Sequence, residues 1–295
     1  MPSMSYRRSD LVFHSPLVRV FDVTCHAPKS GCSSEEWCSV VQIVVPRRGV
    51  FMLHQQGGLK VADPNTALVF GMGNTYQVSH PVDGGDQCTV LVFSPELIED
   101  TLGSIEARHG TIHAATQLSI HVLTHTMATG EIDRLEAEEG AVFVLNALAR
   151  DFRLFPPLSW QRVSEFQERR VEEVRALLAS QPTNPWHLES IARTVYCSPF
   201  HLARQFRAII GESIARYLLR LRLALALDRL AQGETELARL AVELGFAHHS
   251  HFSARFRSVF GTTPTAVRNT LTHQSFQQMS KIVTAKPRTK ARIQL

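Results

Sequence analysis

The stretch LARLAVELGFAHHSHFSARFRSVFGTT (237–263) has a near copy upstream, LESIARTVYCSPFHLARQFRAIIGES (188–213). Leu188, Ile191, Ala192 and Val195 align with Leu237, Leu240, Ala241 and Leu244 at an offset of 49. Leu202, Phe206, Arg207 and Gly211 align with Phe252, Phe256, Arg257 and Gly261 at an offset of 50, so the second copy has gained one residue in its turn. Each copy reads as a short helix with a small alanine, a tight turn and a second, amphipathic helix, the helix-turn-helix pattern. The alanine lets the two helices cross closely, and Gly245 suits the positive φ such a turn often needs. One helical hairpin alone is a common packing unit. Two copies with arginine on the outer face of the second helix point to a polyanionic partner.

Between the copies, SIARYLLRLRLALALDRLAQ (213–232) predicts one long amphipathic helix. About 20 helical residues span about 30 Å, and successive major-groove segments on one face of B-DNA lie about 34 Å apart. A connector of that length predicts that one chain reads a bipartite site. Cap chemistry sets the other helix starts. Ser164 caps EFQERRVEEVRALLAS, Asn184-Pro185 opens the helix containing LESIARTV, Ser198-Pro199 opens FHLARQFRAII, and Thr235 opens ELARLAVEL, which stops at Gly245.

A helical wheel separates core from outer face. In the first recognition helix Leu202, Phe206, Ile209 and Ile210 form the core side. His201, Arg204 and Ala208 oppose them, flanked by Phe200 and Arg207. An aromatic beside an arginine, one turn apart, suits a thymine methyl with a guanine edge or phosphate. In the second, Phe252, Phe256, Val259 and Phe260 are the core side, while Ser250, His251, Ala254, Arg255 and Ser258 face out. His248 and His249 begin the helix, where its N-terminus meets a groove or phosphate. His248 and His251 sit three apart, but no acid or cysteine stands near them in sequence to complete a metal site. The motif also lacks a nucleophile or carboxylate for acid-base catalysis.

Charge divides the chain. Residues 186–270 hold 11 arginines, no lysine and 6 acids, a net +5, and 271–295 add five basic residues and no acid. With +4 overall, residues 1–185 must carry −6. An acidic front and a basic back predict two tasks, the second directed at a polyanion. No apolar run reaches the roughly 18–20 residues that cross a membrane. LVFHSPLVRVFDV (11–23) is broken by His14, Pro16 and Arg19 and lacks a signal-peptide cleavage pattern. The expectation is a cytoplasmic protein with reduced thiols. Cys25, Cys32, Cys38 and Cys88 lie in the front half and Cys197 in the back, without a C-x-x-C pair. With His26, the four front cysteines offer a thiol or metal sensor; isolated thiols are the simpler reading.

The front half reads as β-rich. SVVQIVV (39–45), GVFMLHQ (49–55), ALVFG (67–71), TYQVSH (75–80) and QCTVLVF (87–93) are short β-branched runs separated by PRRG, DPN, GMGN and PVDGGD turns. They predict a small sandwich or barrel. Segments 112–128 and 131–152 have helical spacing, and 131–152 is the candidate dimer contact, against packing within the chain. Arg47 and Arg48 sit at a turn, where a surface position is expected. FPPLSW (155–160) reads as a linker, because paired prolines cannot continue a helix.

The back half resembles the AraC/XylS family of bacterial transcription regulators over about 165–270. The resemblance rests on LARQFRAIIGES, RLRLALALDRL, LAVELGF and HFSARFRSVFGTTPTAVR, the last combining a G-F turn, an F-S motif and a late G-x-x-P. It implies an α+β multidomain chain. Residues 1–155 would form a cupin-like β-barrel with accessory helices, 156–163 a linker, 164–270 an all-α pair of helix-turn-helix units, and 271–295 a basic disordered tail that adds non-specific DNA affinity. By family position the base-reading residues fall on Phe200, Ala203 and Arg204, then on His249, Ser250, His251 and Ala254. With the outward faces above, the candidate DNA-binding set is Phe200, His201, Ala203, Arg204, Arg207, His249, Ser250, His251, Ala254 and Arg255. Many members carry arginine where this chain has Ala254. Here the arginine is Arg255, turned by about 100°, which suits a phosphate clamp and leaves His251 as the leading reader. The resemblance also implies promoter DNA and RNA polymerase as partners, a small-molecule effector in the front half, a homodimer and a transcription activator. No cofactor, metal or enzymatic activity is expected. The competing expectation is a cupin-type metal-dependent enzyme fused to a DNA-binding domain; it is weakened because His54 and His80 stand alone, outside the cupin H-x-H pattern.

Overall fold

The computed structural model describes residues 6–55, 58–103, 108–154 and 164–273. The chain is α+β, with an antiparallel β domain in front and a helical domain behind. One sheet runs β1 (Arg7–His14), β2 (Val18–Cys25), β9 (Asp86–Phe93), β4 (Gln42–Gly49), β7 (Thr66–Phe70), β10 (Arg108–Thr111) in spatial order. The second runs β3 (Glu36–Trp37), β8 (Thr75–Ser79), β5 (Phe51–Gln55), β6 (Gly58–Ala62). The expected runs correspond to β4, β5, β7, β8 and β9; β1, β2, β3, β6 and β10 were not apparent in the sequence.

Period-two alternation divides the first sheet between two cores. Ile43, Val45, Leu91 and Phe93 face the helices, whereas Val44, Val90 and Val92 join Phe51, Leu53 and Tyr76 between the sheets. Burial on both faces explains why QCTVLVF is almost continuously apolar. The helix-facing side carries α2 (Ala114–Thr129) and α3 (Arg134–Leu154), and α1 (Pro95–Leu102) packs on α3. Ala137, Ala141, Val144, Leu145 and Leu148 of α3 are buried within the chain itself, while Leu135 and Asn146 remain exposed on its outer side.

The helical domain comprises α4 (Glu165–Ser180), α5 (Leu188–Thr194), α6 (Pro199–Ile210), α7 (Ile214–Ala231), α8 (Leu237–Glu243), α9 (His249–Phe260) and α10 (Pro264–His273). Ser164 makes a capping box with Gln167, and Ser198 caps α6 with Pro199 in its first turn. Two expected starts shift. Asn184 lies in the preceding turn and α5 begins after His187, whose backbone N–H is bound by Ser190; α8 begins after Glu236 rather than Thr235. The expected linker, 156–163, lies outside the described residues. Of the expected tail, 271–273 complete α10, because Leu271 is buried in the core that α2 shares with the last helices, and 274–295 lie outside the described residues.

The connector α7 is the main correction. It is buried nearly all round rather than on one face, including Arg220 and Asp228. It meets α4 and α6 of the first unit, α10 of the second, and α2 and β4 of the β domain. Outside Ala215 and Arg216 in its first turn, which are exposed, α7 has no continuous polar face. Arg47 is likewise buried, not on a surface turn: it reaches across β9 and pairs with Asp22 of β2.

The β6–β7 turn, ADPNT, inserts into the junction. Asp63, Asn65 and Thr66 are fully buried. Arg175 donates to Glu172 at 2.8 Å, the Val61 carbonyl at 2.9 Å and the Tyr217 hydroxyl at 2.9 Å, and lies 3.4 Å from Asp63. The Tyr217 hydroxyl donates to Asp63, and Asn65 Nδ2 donates to the Tyr217 carbonyl at 3.2 Å. Glu172 accepts from the Val61 N–H at 2.8 Å. Each charge therefore has several partners, as burial demands.

Candidate functional site

Both helix-turn-helix units are built alike. In the first, Cys197 N–H returns to the Ala192 carbonyl at 3.1 Å; in the second, Phe246 N–H returns to Ala241 at 2.9 Å. Both alanines are buried where the helices cross. The second turn uses Gly245 at φ +79, and the first places Tyr196 at φ +51. A Cβ on Gly245 would lie 3.1 Å from the Thr183 carbonyl and from Arg222 Cζ. Arg222 of α7 binds the carbonyls of Pro182, Asn184 and Gly245, tying the α4–α5 loop to the second turn.

On α6, Leu202, Phe206, Ile209 and Ile210 are buried, as the wheel predicted. Phe200 is 78% exposed, and the Arg204 guanidinium lies 6.0 Å from its ring centre, a cation–π distance. Arg204 and Arg207 are exposed, and His201 and Ala203 are half-buried. A 78% exposed phenylalanine fills no pocket of its own chain, so its apolar face is available to a partner.

On α9, Phe252, Phe256 and Phe260 are buried, Val259 is half-buried, and His249, Ser250, Ala254 and Arg255 are exposed. The three histidines have separate local roles. His248 Nδ1 caps the helix by accepting from the His251 N–H at 3.2 Å, and His249 meets Ser253 at 3.3 Å. His251 packs edge-on against Phe246, and its Nε2 accepts from Arg255 Nε at 3.3 Å. His251 and Arg255 thus form one donor-rich unit, a coupling that one-turn spacing allows but does not specify.

The other functional feature is a cavity of about 350 Å³ between the two sheets. Val23, Val44, Phe51, Phe70 and Val90 supply apolar walls. Tyr76 and Arg7 both bind Glu36 there, at 3.2 and 3.3 Å, and burial, then Glu36, push the Tyr76 phenol up. Cys25, His80 and Asp86 also reach the cavity. Hydrogen bonds to Asp86 first, and then to Cys25, hold His80 up at about 9. Cys25 and His80 were singled out separately in the sequence, but Asp86 and the grouping of the three escaped it, because Cys25 is distant from the other two in the chain. Cys25 and Asp86 become neighbours only through the β2–β9 register. The buried Arg175 did leave a signal: it shares the apolar stripe of α4 with Val171, Val174 and Leu178.

Among the described residues, no helix is long and apolar enough to cross a membrane. The family described as "Helix-turn-helix domain" matches residues 191–270. The HTH-type transcriptional regulator YidL of Escherichia coli is 35% identical over 108 residues, 36% of this chain and 36% of YidL. The HTH-type transcriptional activator AarP of Providencia stuartii is 27% identical over 113 residues, 38% of this chain and 84% of AarP. A Streptomyces lividans protein described as an AraC-like transcription regulator is 33% identical over 87 residues, 30% of this chain and 29% of that protein. The first curated relatives are matched over about a third of their length, 35% and 36%. Residues 191–270 are thus a helix-turn-helix domain, similar in sequence to the corresponding part of AraC-like regulators.

Proposed function

We propose that the protein is a sequence-specific DNA-binding transcription regulator of the AraC type, with α6 and α9 as its two recognition helices. The observation that carries this reading is the duplicated unit on a single connector, each copy with an apolar inner face and a polar or aromatic outer one. The 18 residues of α7 span about 27 Å, comparable with the roughly 34 Å between major-groove segments on one face of DNA. Phe200, His201, Ala203, Arg204 and Arg207 then address one half of the site. His249, Ser250, His251, Ala254 and Arg255 address the other. Phe200 meets a thymine methyl, Arg204 a guanine edge, and Arg207 and Arg255 the phosphates. The cavity between the sheets takes a small-molecule effector, and the buried junction of α7 with the β domain relays its occupancy. A homodimer using the outer side of α3, promoter DNA and RNA polymerase as partners, and a cytoplasmic, non-enzymatic role complete the proposal.

The test is operator selection from random DNA followed by binding of Arg204→Ala to the selected site and to each single-base variant. The expected loss is about 1–3 kcal/mol, with relaxed preference at one base pair. Equal weakening on every sequence would make Arg204 a phosphate contact.

A further inference from the structure

We propose that the β-domain cavity holds a divalent transition metal of the zinc type on Cys25 Sγ, the His80 imidazole and an Asp86 carboxylate oxygen, with a fourth coordination position open to the cavity. The ligand atoms of these residues all lie within 4.8 Å of one another, with His80 Nε2 and Asp86 Oδ2 2.9 Å apart. Around a tetrahedral zinc, donors about 2.0–2.3 Å from the ion stand about 3.3–3.8 Å apart. Changes in donor separation of about 1 Å therefore bring the present cluster to the spacing of a coordination shell. Sulfur, nitrogen and oxygen donors together suit zinc or its neighbours, not the oxygen cages of calcium or magnesium.

The three donors are held by backbone rather than by flexible stems. Cys25 and Asp86 are partners in the β2–β9 ladder, and Asp86 also pairs with Gly49 at the end of β4. Gly85 brings the strands this close: a Cβ there would lie 1.9 Å from the Cys25 carbonyl, and one on Gly49 would lie 2.3 Å from the Gly85 carbonyl. Both glycines have positive φ. His80 follows β8, where its carbonyl accepts from the Ser30 N–H at 3.1 Å. Cys88 Sγ donates to Asp86 Oδ1 at 3.1 Å, leaving Oδ2 turned toward His80. An outer group that orients a ligand carboxylate in this way is a general feature of metal centres.

All three ligands line the cavity, and His80 and Asp86 are buried. Three protein ligands with an open position are the arrangement of zinc sites that accept an exogenous group, whereas structural sites close with four. The fourth position would receive water or an anionic or soft donor atom of a molecule enclosed by the apolar walls. This site lies outside the pattern of a cupin metal centre, and His54 is not part of it: His54 bonds Ser79 instead.

The test uses the full chain, stripped with a chelator under reducing conditions and titrated with Co²⁺ alone and then Zn²⁺. The expected result is one Co²⁺ per chain with a thiolate-to-cobalt charge-transfer band, displaced by Zn²⁺. Cys25→Ser should abolish the band. Asp86→Asn and His80→Gln should weaken Zn²⁺ binding tenfold or more, with circular dichroism confirming that each variant is folded. If His80→Gln does not fold, Cys25→Ser and Asp86→Asn decide. Absence of the band, or a band that survives Cys25→Ser, overturns the assignment. Binding only to His248, His249 and His251 of α9 and its cap would give no thiolate band and would likewise overturn it. No DNA enters this experiment, so its failure is distinct from failure of the DNA-binding proposal.

Discussion

The two helix-turn-helix units share a backbone plan and differ in how they are anchored. The first is locked to the β domain through charge: Asp63 and Asn65 enter between α4 and α7 and meet Arg175, Glu172 and Tyr217 without solvent. Around it, Lys60 pairs with Glu168 and buried Arg220 reaches the Ile112 carbonyl. The second leans on α2 mostly through apolar contact, its core continuous with Leu118, Val122 and Leu123, and adds a His125 hydrogen bond to the Leu271 carbonyl at 2.9 Å. Geometry-dependent charge contacts make the first anchorage all-or-none. Apolar contact tolerates sliding and lacks that sharpness.

Breaking one partner tests that contrast most severely. Asp63→Ala leaves Arg175 buried beside a vacancy and is expected to cost about 3–5 kcal/mol, measured by urea unfolding. His125→Ala, on the second unit's side, is expected to cost about 1 kcal/mol. Comparable losses would erase the distinction.

Proton uptake probes the α2 platform beneath the second unit. Burial, partly opposed by the Gln117 carbonyl, pushes His121 down to about 4. The unfolded chain, near 6.5, then binds the proton first as pH falls. Stability from this group is complete above pH 6.5 and declines toward pH 4, by about 3 kcal/mol in all. His121→Gln should flatten that part of the stability–pH curve. An unchanged slope would place the proton uptake on another group.

The recognition faces offer a third comparison. His251→Ala is expected to alter base preference in the half-site opposite the one affected by Arg204→Ala, by about 1–3 kcal/mol. It also frees Arg255 from its partner. Selection experiments on both variants check this, and identical shifts in the same half would merge the two readers into one.

The turns give the smallest effect and the clearest local difference. Gly245→Ala combines a left-handed alanine with close approach to Thr183 and Arg222 and should cost about 1–2 kcal/mol. At Tyr196, 94% exposed and left-handed, glycine removes strain without removing packing, and Tyr196→Gly should gain up to about 1 kcal/mol. Thermal unfolding of both variants reads the sign directly.

Much of the helical domain was legible because its determinants are local. Repeated apolar spacing, Ser164 and Ser198 as caps, and the core faces of α6 and α9 depend on neighbours within a turn or two. Gly245 announced its turn for the same reason, whereas Tyr196 gave no such signal, because a non-glycine rarely adopts that conformation. Five strands between 39 and 93 were legible from β-branched runs, but β6 in that span was not, nor was β1, with Arg7, Arg8, Ser9 and Asp10 exposed at an edge. The burial of α7 was hidden because it comes from elements distant in the chain, α2 and β4, and because its buried Arg220 is satisfied in part by the remote Ile112 carbonyl.

The duplicated helix-turn-helix architecture, the outward arginines and the division into acidic front and basic back can be read along the chain, since periodicity and composition are local properties. That ADPNT is a buried wedge, that Arg47 lies inside, and that Cys25, His80 and Asp86 meet emerge from the folded arrangement alone. Those outcomes follow from strand register and from which faces close on each other, and such long-range pairing leaves no fixed spacing in the sequence.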